Sequence, residues 1–185
     1  MARETYEAQV ALLVRILPHV AKEDVFALKG GTAINLFYRD LPRLSVDIDL
    51  TYLPVKDRNE SLSEINNAMD RIAGAIEGGI VGSKTQRIKG GGGGATRLLA
   101  RMGGVEIKIE TSPVTRGVVH DPETLSVSEA VEDEFGYAEM QVVSFEDLFG
   151  GKLNAAVDRQ HPRDLYDVKL LYENEGLTDD LFRTF

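Results

Sequence analysis

A mixed α/β domain carrying extra helices at its C-terminal end is the fold class this sequence predicts, and three observations predict it. Ser45 to Tyr52 alternates apolar and polar residues with the period of a half-buried strand. Amphipathic stretches with helical spacing lie on both sides of that strand. A run of three short strand-like segments at 84–111 is followed by two further helical segments.

Residues 5–21 read as a first amphipathic helix, with Val10, Leu13 and Leu17 on one face and Pro18 disturbing the last turn. Val25 to Leu28 is a short apolar run that fits a buried strand, closed by a tight turn at Lys29-Gly30-Gly31. Thr32 to Arg39 reads as a short helix, stopped at Leu41-Pro42 because a residue before proline leaves the helical region. On the strand 45–52, Val46, Ile48 and Leu50 point one way and Asp47, Asp49 and Thr51 the other. Residues 60–77 carry Leu62, Ile65, Met69, Ile72 and Ile76 on one helical face, up to Gly78-Gly79. The meander at 84–111 has turns at Gly90–Gly94 and Gly103-Gly104. The segment 114–139 is acidic and weakly patterned, and reads as loop with a short helix. Ser144 caps a helix running to about Arg159, with Glu146 and Asp147 in its first turn. Pro162 opens a last helix bearing Leu165, Val168, Leu171 and Tyr172. The organisation expected is an α/β core over 1–140 and a helical portion over 141–185 packed on it.

Composition narrows the chemistry. The chain has 185 residues, enough for one core, and no apolar run long enough to span a bilayer. Its N-terminus shows no signal-peptide pattern, so a cytoplasmic location is expected. With no cysteine and three scattered histidines, any metal must be held by oxygen, which favours Mg²⁺ or Mn²⁺ over Zn²⁺. The net charge of −9 argues against a general nucleic-acid coat. Charge is uneven, however: Lys84, Arg87, Lys89, Arg97 and Arg101 form a stretch without acids, and the charged residues over 117–151 are all acidic. The basic stretch is either a phosphate or RNA contact or a solvated strand face.

Asp47 and Asp49 are two apart on a strand, so their carboxylates leave one face with Cα atoms about 6.5–7 Å apart. That separation suits one divalent ion or a pair of ions clamping an in-line displacement; alone, the same pattern is an ordinary polar strand face. Upstream, Gly30-Gly31-Thr32 closes a strand and opens a helix, presenting free N–H groups and a hydroxyl to an anion. It is not a P-loop, because Lys29 precedes the glycines instead of following them.

Strand, Gly-Gly-Thr, helix, strand and D-x-D in this order resemble the nucleotidyltransferase superfamily of polymerase β. The longer run from Lys29 to Tyr52, with K-G-G-T followed by R-x-S-x-D-x-D-L, resembles the AbiEii/AbiGii toxin branch. A second block, from Phe145 to Val168, is similar to that branch's downstream K-x-x-A-x-x-x-R-x-x-x-R-D-x-x-D pattern. The resemblance implies a polymerase-β-type fold in which Gly30, Gly31, Thr32 and Ser45 hold an NTP. It further implies that Asp47 and Asp49 hold the metal, that Lys152 contacts nucleotide phosphates, and that Asp167 completes the site. The resemblance also implies a third carboxylate from a neighbouring strand. Glu106, Lys108 and Glu110 share one face there; the spacing leaves the choice open, and the resemblance prefers Glu110, with Lys108 beside it. Asp167 read without the resemblance is an ion-pair partner of Arg163 or Arg159. Two departures matter: Thr32 stands where serine is more widespread, and family members often continue into a larger helical half beyond the position of Phe185.

The function these residues imply is Mg²⁺-dependent transfer of a nucleotide from an NTP to an acceptor, with tRNA or another RNA as the expected acceptor. The protein would be the toxin of a toxin–antitoxin pair, with a cognate antitoxin as partner. The alternative is an NTP-binding or partner-binding module of the same fold without turnover. A glycosyltransferase reading of D-x-D explains neither the Gly-Gly-Thr turn nor Lys152.

Overall fold

The computed structural model describes residues 2–88 and 96–185. The expected turn at 90–94, and Lys89 with it, lie outside the described residues. The elements in chain order are α1 (Ala2–Val20), β1 (Phe26–Lys29), α2 (Gly30–Ala33), a π-helical turn (Ile34–Tyr38), β2 (Ile48–Tyr52), α3 (Arg58–Gly79), β3 (Lys84–Ile88), β4 (Arg97–Met102), β5 (Val105–Thr111), β6 (Glu123–Ser126), α4 (Glu129–Phe135), β7 (Glu139–Val142), α5 (Phe145–Arg159), α6 (Pro162–Asn174) and α7 (Asp179–Thr184). The mixed α/β class is as expected. No helix among the described residues is long and apolar enough to cross a membrane.

One seven-stranded sheet runs in the order β3-β4-β5-β2-β1-β7-β6. β2 is antiparallel to β1 and parallel to β5, and β1 is parallel to β7. Register sorts the side chains by face, because cross-strand partners point the same way. Leu28 faces Leu50, Ile48 faces Ile109, and Ile109 faces Leu98. These positions are buried and merge with Leu13, Leu17, Met69 and Ile72 of α1 and α3 into one core. Each such large apolar side chain contributes about 1.5–3 kcal/mol by leaving water. The opposite face of the same strands carries Lys29, Asp49, Glu110 and Arg97, one on each of four adjacent strands.

Several elements differ from expectation. β2 begins at Ile48, not Ser45, because residues 39–47 leave the sheet and fold against α6 through Arg43. The helix after the glycine turn starts at Gly30 and widens into a π turn, from which Leu41 N–H reaches the Asn35 carbonyl. The acidic stretch 114–139 holds β6 and the first residue of β7, two strands that extend the sheet past β1. Those strands are four residues each, too short for alternation to stand out against their charges. α7 was not expected either. On α6 the buried positions are Asp164, Asp167 and Leu171, and the expected apolar face is turned around: Leu165 and Tyr172 are exposed. Ser144 does cap α5, accepting from Asp147 N–H at 3.1 Å, and Pro162 opens α6.

Candidate active site

The turn after β1 depends on its glycines. Gly30 has φ +77°, a conformation that L side chains rarely adopt, and a Cβ there would stand 2.7 Å from Asp49 Oδ2. The acid of β2 therefore rests directly on the bare turn. A Cβ on Gly31 would run into the Arg43 guanidinium and come within 2.8 Å of Ser45 Oγ. Two glycines thus bring the backbone against the acid on one side and against a cation on the other. Thr32 is buried; its hydroxyl donates to the Asp47 carbonyl at 2.6 Å and lies 3.2 Å from Ser45 Oγ. Its observed work is to tie the turn to the segment carrying the acids.

That segment is pinned at Arg43. The Arg43 carbonyl accepts from Asn35 Nδ2 at 2.5 Å and from the Tyr6 hydroxyl at 3.2 Å. Its guanidinium gives Nε and Nη2 to the two oxygens of Asp167 at 2.6 and 2.5 Å. Asp167 is 0% exposed and is also 3.1 Å from Lys152 Nζ. Lys152 donates to Asp164 Oδ1 at 2.9 Å, and Arg159 Nη2 reaches Asp164 Oδ2 at 2.9 Å. The result is an alternating series Arg43–Asp167–Lys152–Asp164–Arg159 in which each carboxylate touches two cations. Burial pushes the Asp164 carboxyl up, but the Lys152 hydrogen bond and the charges of Lys152 and Arg159 outweigh it and hold it below the ordinary value. Asp167 thus pairs with Arg43 and Lys152, not with Arg163 or Arg159.

The acids on and just before β2 are poorer in partners. Asp49 makes no ion pair among the described residues. Its carboxyl is pushed up by burial first, then by Glu110 and Asp47, with Lys108 and Lys29 opposing. Asp47 lies 3.6 Å from Lys108 Nζ. Glu110 sits across from Asp49 in the β2–β5 register, with Oε1 2.9 Å from Lys108 Nζ and Oε2 2.9 Å from Arg97 Nε. Glu106 stands four residues back on the same strand, about 13 Å along it, paired with Arg101 at 2.5 Å. Of the two candidate third acids, Glu110 is the one brought to Asp49. Among the described residues no three carboxylate or imidazole groups form a ready-made metal cage. The oxygen-only donors and an unpaired Asp49 carboxylate, pushed up first by burial and then by its acidic neighbours, nevertheless fit a hard divalent cation held by Asp47 and Asp49.

Clefts open around these groups. One of about 300 Å³ is lined by Gly31, Arg43, Asp47, Asp49, Lys152 and their neighbours on α6. Another of about 370 Å³ runs from Gly30 and Asp49 to Val143, Leu148 and Ala155, giving an apolar wall beside the glycine turn. Tyr52 lies outside them: it is buried, its hydroxyl bonded to Glu64, and the low-dielectric site with Glu64 beside it pushes its pKa up to about 12. The basic stretch is largely neutralised in place, Arg87 by Asp70, Arg97 by Glu110 and Arg101 by Glu106. Arg43 and the Lys108–Glu110 contact had no separate signal in the sequence beyond the R of R-x-S-x-D-x-D and the alternation of β5.

Comparison with known proteins bears on the family and the fold. The profile of the family described as "Nucleotidyl transferase AbiEii toxin, Type IV TA system" matches residues 11–185. Among curated proteins no significant sequence match is found. Among solved structures the fold is similar to MenT4, a nucleotidyltransferase toxin from Mycobacterium tuberculosis H37Rv, with a TM-score of 0.64 and 21% identity. That similarity covers 97% of this chain but 61% of MenT4, so the chain spans about three-fifths of the toxin's length. It is also similar to the antibiotic-resistance factor ANT(2'')-Ia, with a TM-score of 0.51 and 18% identity over 97% of this chain and 90% of that one. A second structure of that protein, in complex with adenylyl-2''-tobramycin, gives 0.50 and 17% over 91% and 90%. With the family profile spanning nearly the whole chain, and the glycine turn, acids and lysine gathered at one cleft, this protein belongs to the AbiEii family of nucleotidyltransferase toxins of type IV toxin–antitoxin systems.

Proposed function

We propose that this chain transfers a nucleotide from an NTP to a hydroxyl of an RNA acceptor, with tRNA the first candidate, and that it does so as the toxin of a pair neutralised by a cognate antitoxin in the cytoplasm. One observation carries the reading: the Gly30-Gly31 turn touches the Asp49 carboxylate on one side and the Arg43–Asp167–Lys152 series on the other. Backbone N–H groups, a guanidinium and an ammonium around one turn suit a triphosphate. The carboxylates of Asp47 and Asp49 beside it suit the cation that accompanies a triphosphate.

In this reading Gly30 and Gly31 admit the phosphates to the backbone. Lys152 and Arg43, fixed by the buried Asp167, neutralise charge as the bridging oxygen leaves. The acceptor oxygen bonds to the α-phosphorus, the bond to the β-phosphate breaks, pyrophosphate leaves with that electron pair, and the hydroxyl proton passes to water. Asp47 and Asp49 would hold Mg²⁺ or Mn²⁺, whose chemistry when bound is charge neutralisation and orientation of the phosphates. Thr32 and Ser45 hold the turn in register with the acids. Glu110 orients Lys108 and Arg97 beside Asp49.

The test is incubation with each labelled NTP, Mg²⁺ and total tRNA, alongside Asp49→Ala. Label on RNA that disappears in the variant supports transfer. NTP binding with no transfer under any condition instead leaves a nucleotide-binding module.

A further inference from the structure

Asp49 also borders a cleft of about 320 Å³ to which neither α5 nor α6 contributes a wall. Its floor is a single rung of the sheet: Lys29 on β1 faces Asp49 on β2, Asp49 faces Glu110 on β5, and Glu110 faces Arg97 on β4. All four line the cleft, together with Thr96 and Ser112. The charges read plus, minus, minus, plus, with the outer Cα atoms about 14 Å apart across three strand spacings. Among the described residues Arg97 reaches Glu110 through Nε, and with its side chain 55% exposed the guanidinium is open to a further partner. Lys29 is half-buried, makes no ion pair among the described residues, and lines this cleft and the neighbouring cleft of about 370 Å³ alike. It stands where the two clefts meet.

A ligand matching this rung offers a neutral group to the two carboxylates and an anionic group to each outer cation. The end of a nucleic-acid strand does so when an NTP lies next door. Its ribose hydroxyl faces the acids, its own phosphodiester faces Arg97, and the NTP phosphate faces Lys29. A hydroxyl on an unmodified peptide brings no phosphate for Arg97. Resting on the transferase reading above, we propose that this cleft is the acceptor subsite, that it takes the single-stranded end of an RNA, and that Arg97 is its phosphate contact.

The test is binding without turnover. A single-stranded RNA octamer with a 5′ fluorescein and a free 3′ hydroxyl is titrated by anisotropy against the full chain and against Arg97→Gln, Arg97→Lys and Arg97→Glu, over a series of salt concentrations. Arg97→Gln is expected to weaken binding about tenfold and to flatten the slope of log affinity against log salt by about 0.7, the share of one phosphate on a single strand. Arg97→Glu weakens it further and Arg97→Lys restores most of it. Labelled-NTP affinity stays within about twofold in all three, since Arg97 lines neither of the other clefts. Because Arg97→Gln frees Glu110 and can loosen β4, Arg97→Lys and the salt slope keep a folding defect distinguishable from a lost contact. Unchanged affinity and slope overturn the subsite, as does NTP affinity falling in parallel, or a phosphorylated peptide showing the Arg97 dependence that the RNA lacks. Label transfer run beside it separates the two readings. Transfer to RNA indifferent to Arg97 overturns the subsite alone, whereas Arg97-dependent RNA binding with no transfer to any acceptor overturns the transferase reading.

Discussion

The two walls of the cleft around Gly31 are built on opposite electrostatic plans. On the helical wall, Arg43, Asp167, Lys152, Asp164 and Arg159 alternate in sign, and each carboxylate is claimed twice. Burial there is affordable because nearly every charge has an opposite neighbour within hydrogen-bond reach. On the sheet wall, Asp47, Asp49 and Glu110 gather like charges, and Asp49 is left without an ion pair among the described residues, its carboxyl pushed up by burial and by its neighbours. The helical wall is finished as it stands and presents fixed cations. The sheet wall leaves Asp49 without a cation of its own among the described residues. In the reading proposed above, the cation that accompanies a triphosphate would supply that charge.

This contrast can be broken at four places, in falling order of expected effect. Asp49→Ala removes the acid that both plans converge on, and transfer of labelled nucleotide should drop by at least about 10²–10³-fold, as when a pre-placed electrostatic group is lost. Asp167→Asn strips the shared counter-ion from Arg43 and Lys152, and urea unfolding should show a loss of about 3–5 kcal/mol, the usual cost of orphaning a buried charge. Adding Arg43→Met to it should recover part of that loss, and strict additivity in the cycle would show that the two side chains do not act as a unit. Gly31→Ala pushes on Arg43 and Ser45, leaving the fold standing; KM for NTP should rise about tenfold, the scale of one hydrogen bond to a charged group. The smallest effect is on pH. Asp49 has a raised folded pKa, so its ionised form costs stability above that pKa and the cost vanishes as the carboxyl is protonated. Asp164 has a lowered one, so its contribution is present above the unfolded value and is lost as pH falls through the folded value. Without metal at pH 7, Asp49→Asn should therefore melt higher than the parent and Asp164→Asn lower. Both should converge on it in acid, below the ordinary carboxylate range, and a shift of the same sign for both would sink the comparison.

The sheet wall was far more legible in the sequence than the helical one. Alternation over Val46, Asp47, Ile48, Asp49 and Leu50 fixes which side of β2 is apolar, and the structure buries Ile48 and Leu50 as that pattern requires. Gly30-Gly31 could be read as a tight turn from its composition, and the structure gives Gly30 a positive φ with Asp49 standing where a Cβ would be. Choosing between Glu106 and Glu110, however, needs the β2–β5 register, which is a long-range pairing with no local trace. The helical wall misled for a physical reason. Helical periodicity puts apolar residues inward by default, yet α6 turns Asp164 and Asp167 in because Arg43, Lys152 and Arg159 await them, and so leaves Leu165 and Tyr172 in solvent. Arg43 itself looked like loop; only its partner 124 positions along the chain gives it a purpose. β6 and β7 escaped notice because two strands of four residues among many acids offer too little pattern.

The span of the Arg43–Asp167 pair also sets a clock. A chain leaving the ribosome at roughly 5–20 residues per second presents the glycine turn, Asp47 and Asp49 more than a hundred residues before Asp167 emerges. Through that interval Arg43 has no Asp167 carboxylate to hold it, and Lys152 follows Arg43 by more than a hundred residues. The helical wall is therefore the last part of the cleft to be assembled, and the cleft is complete only when α6 docks.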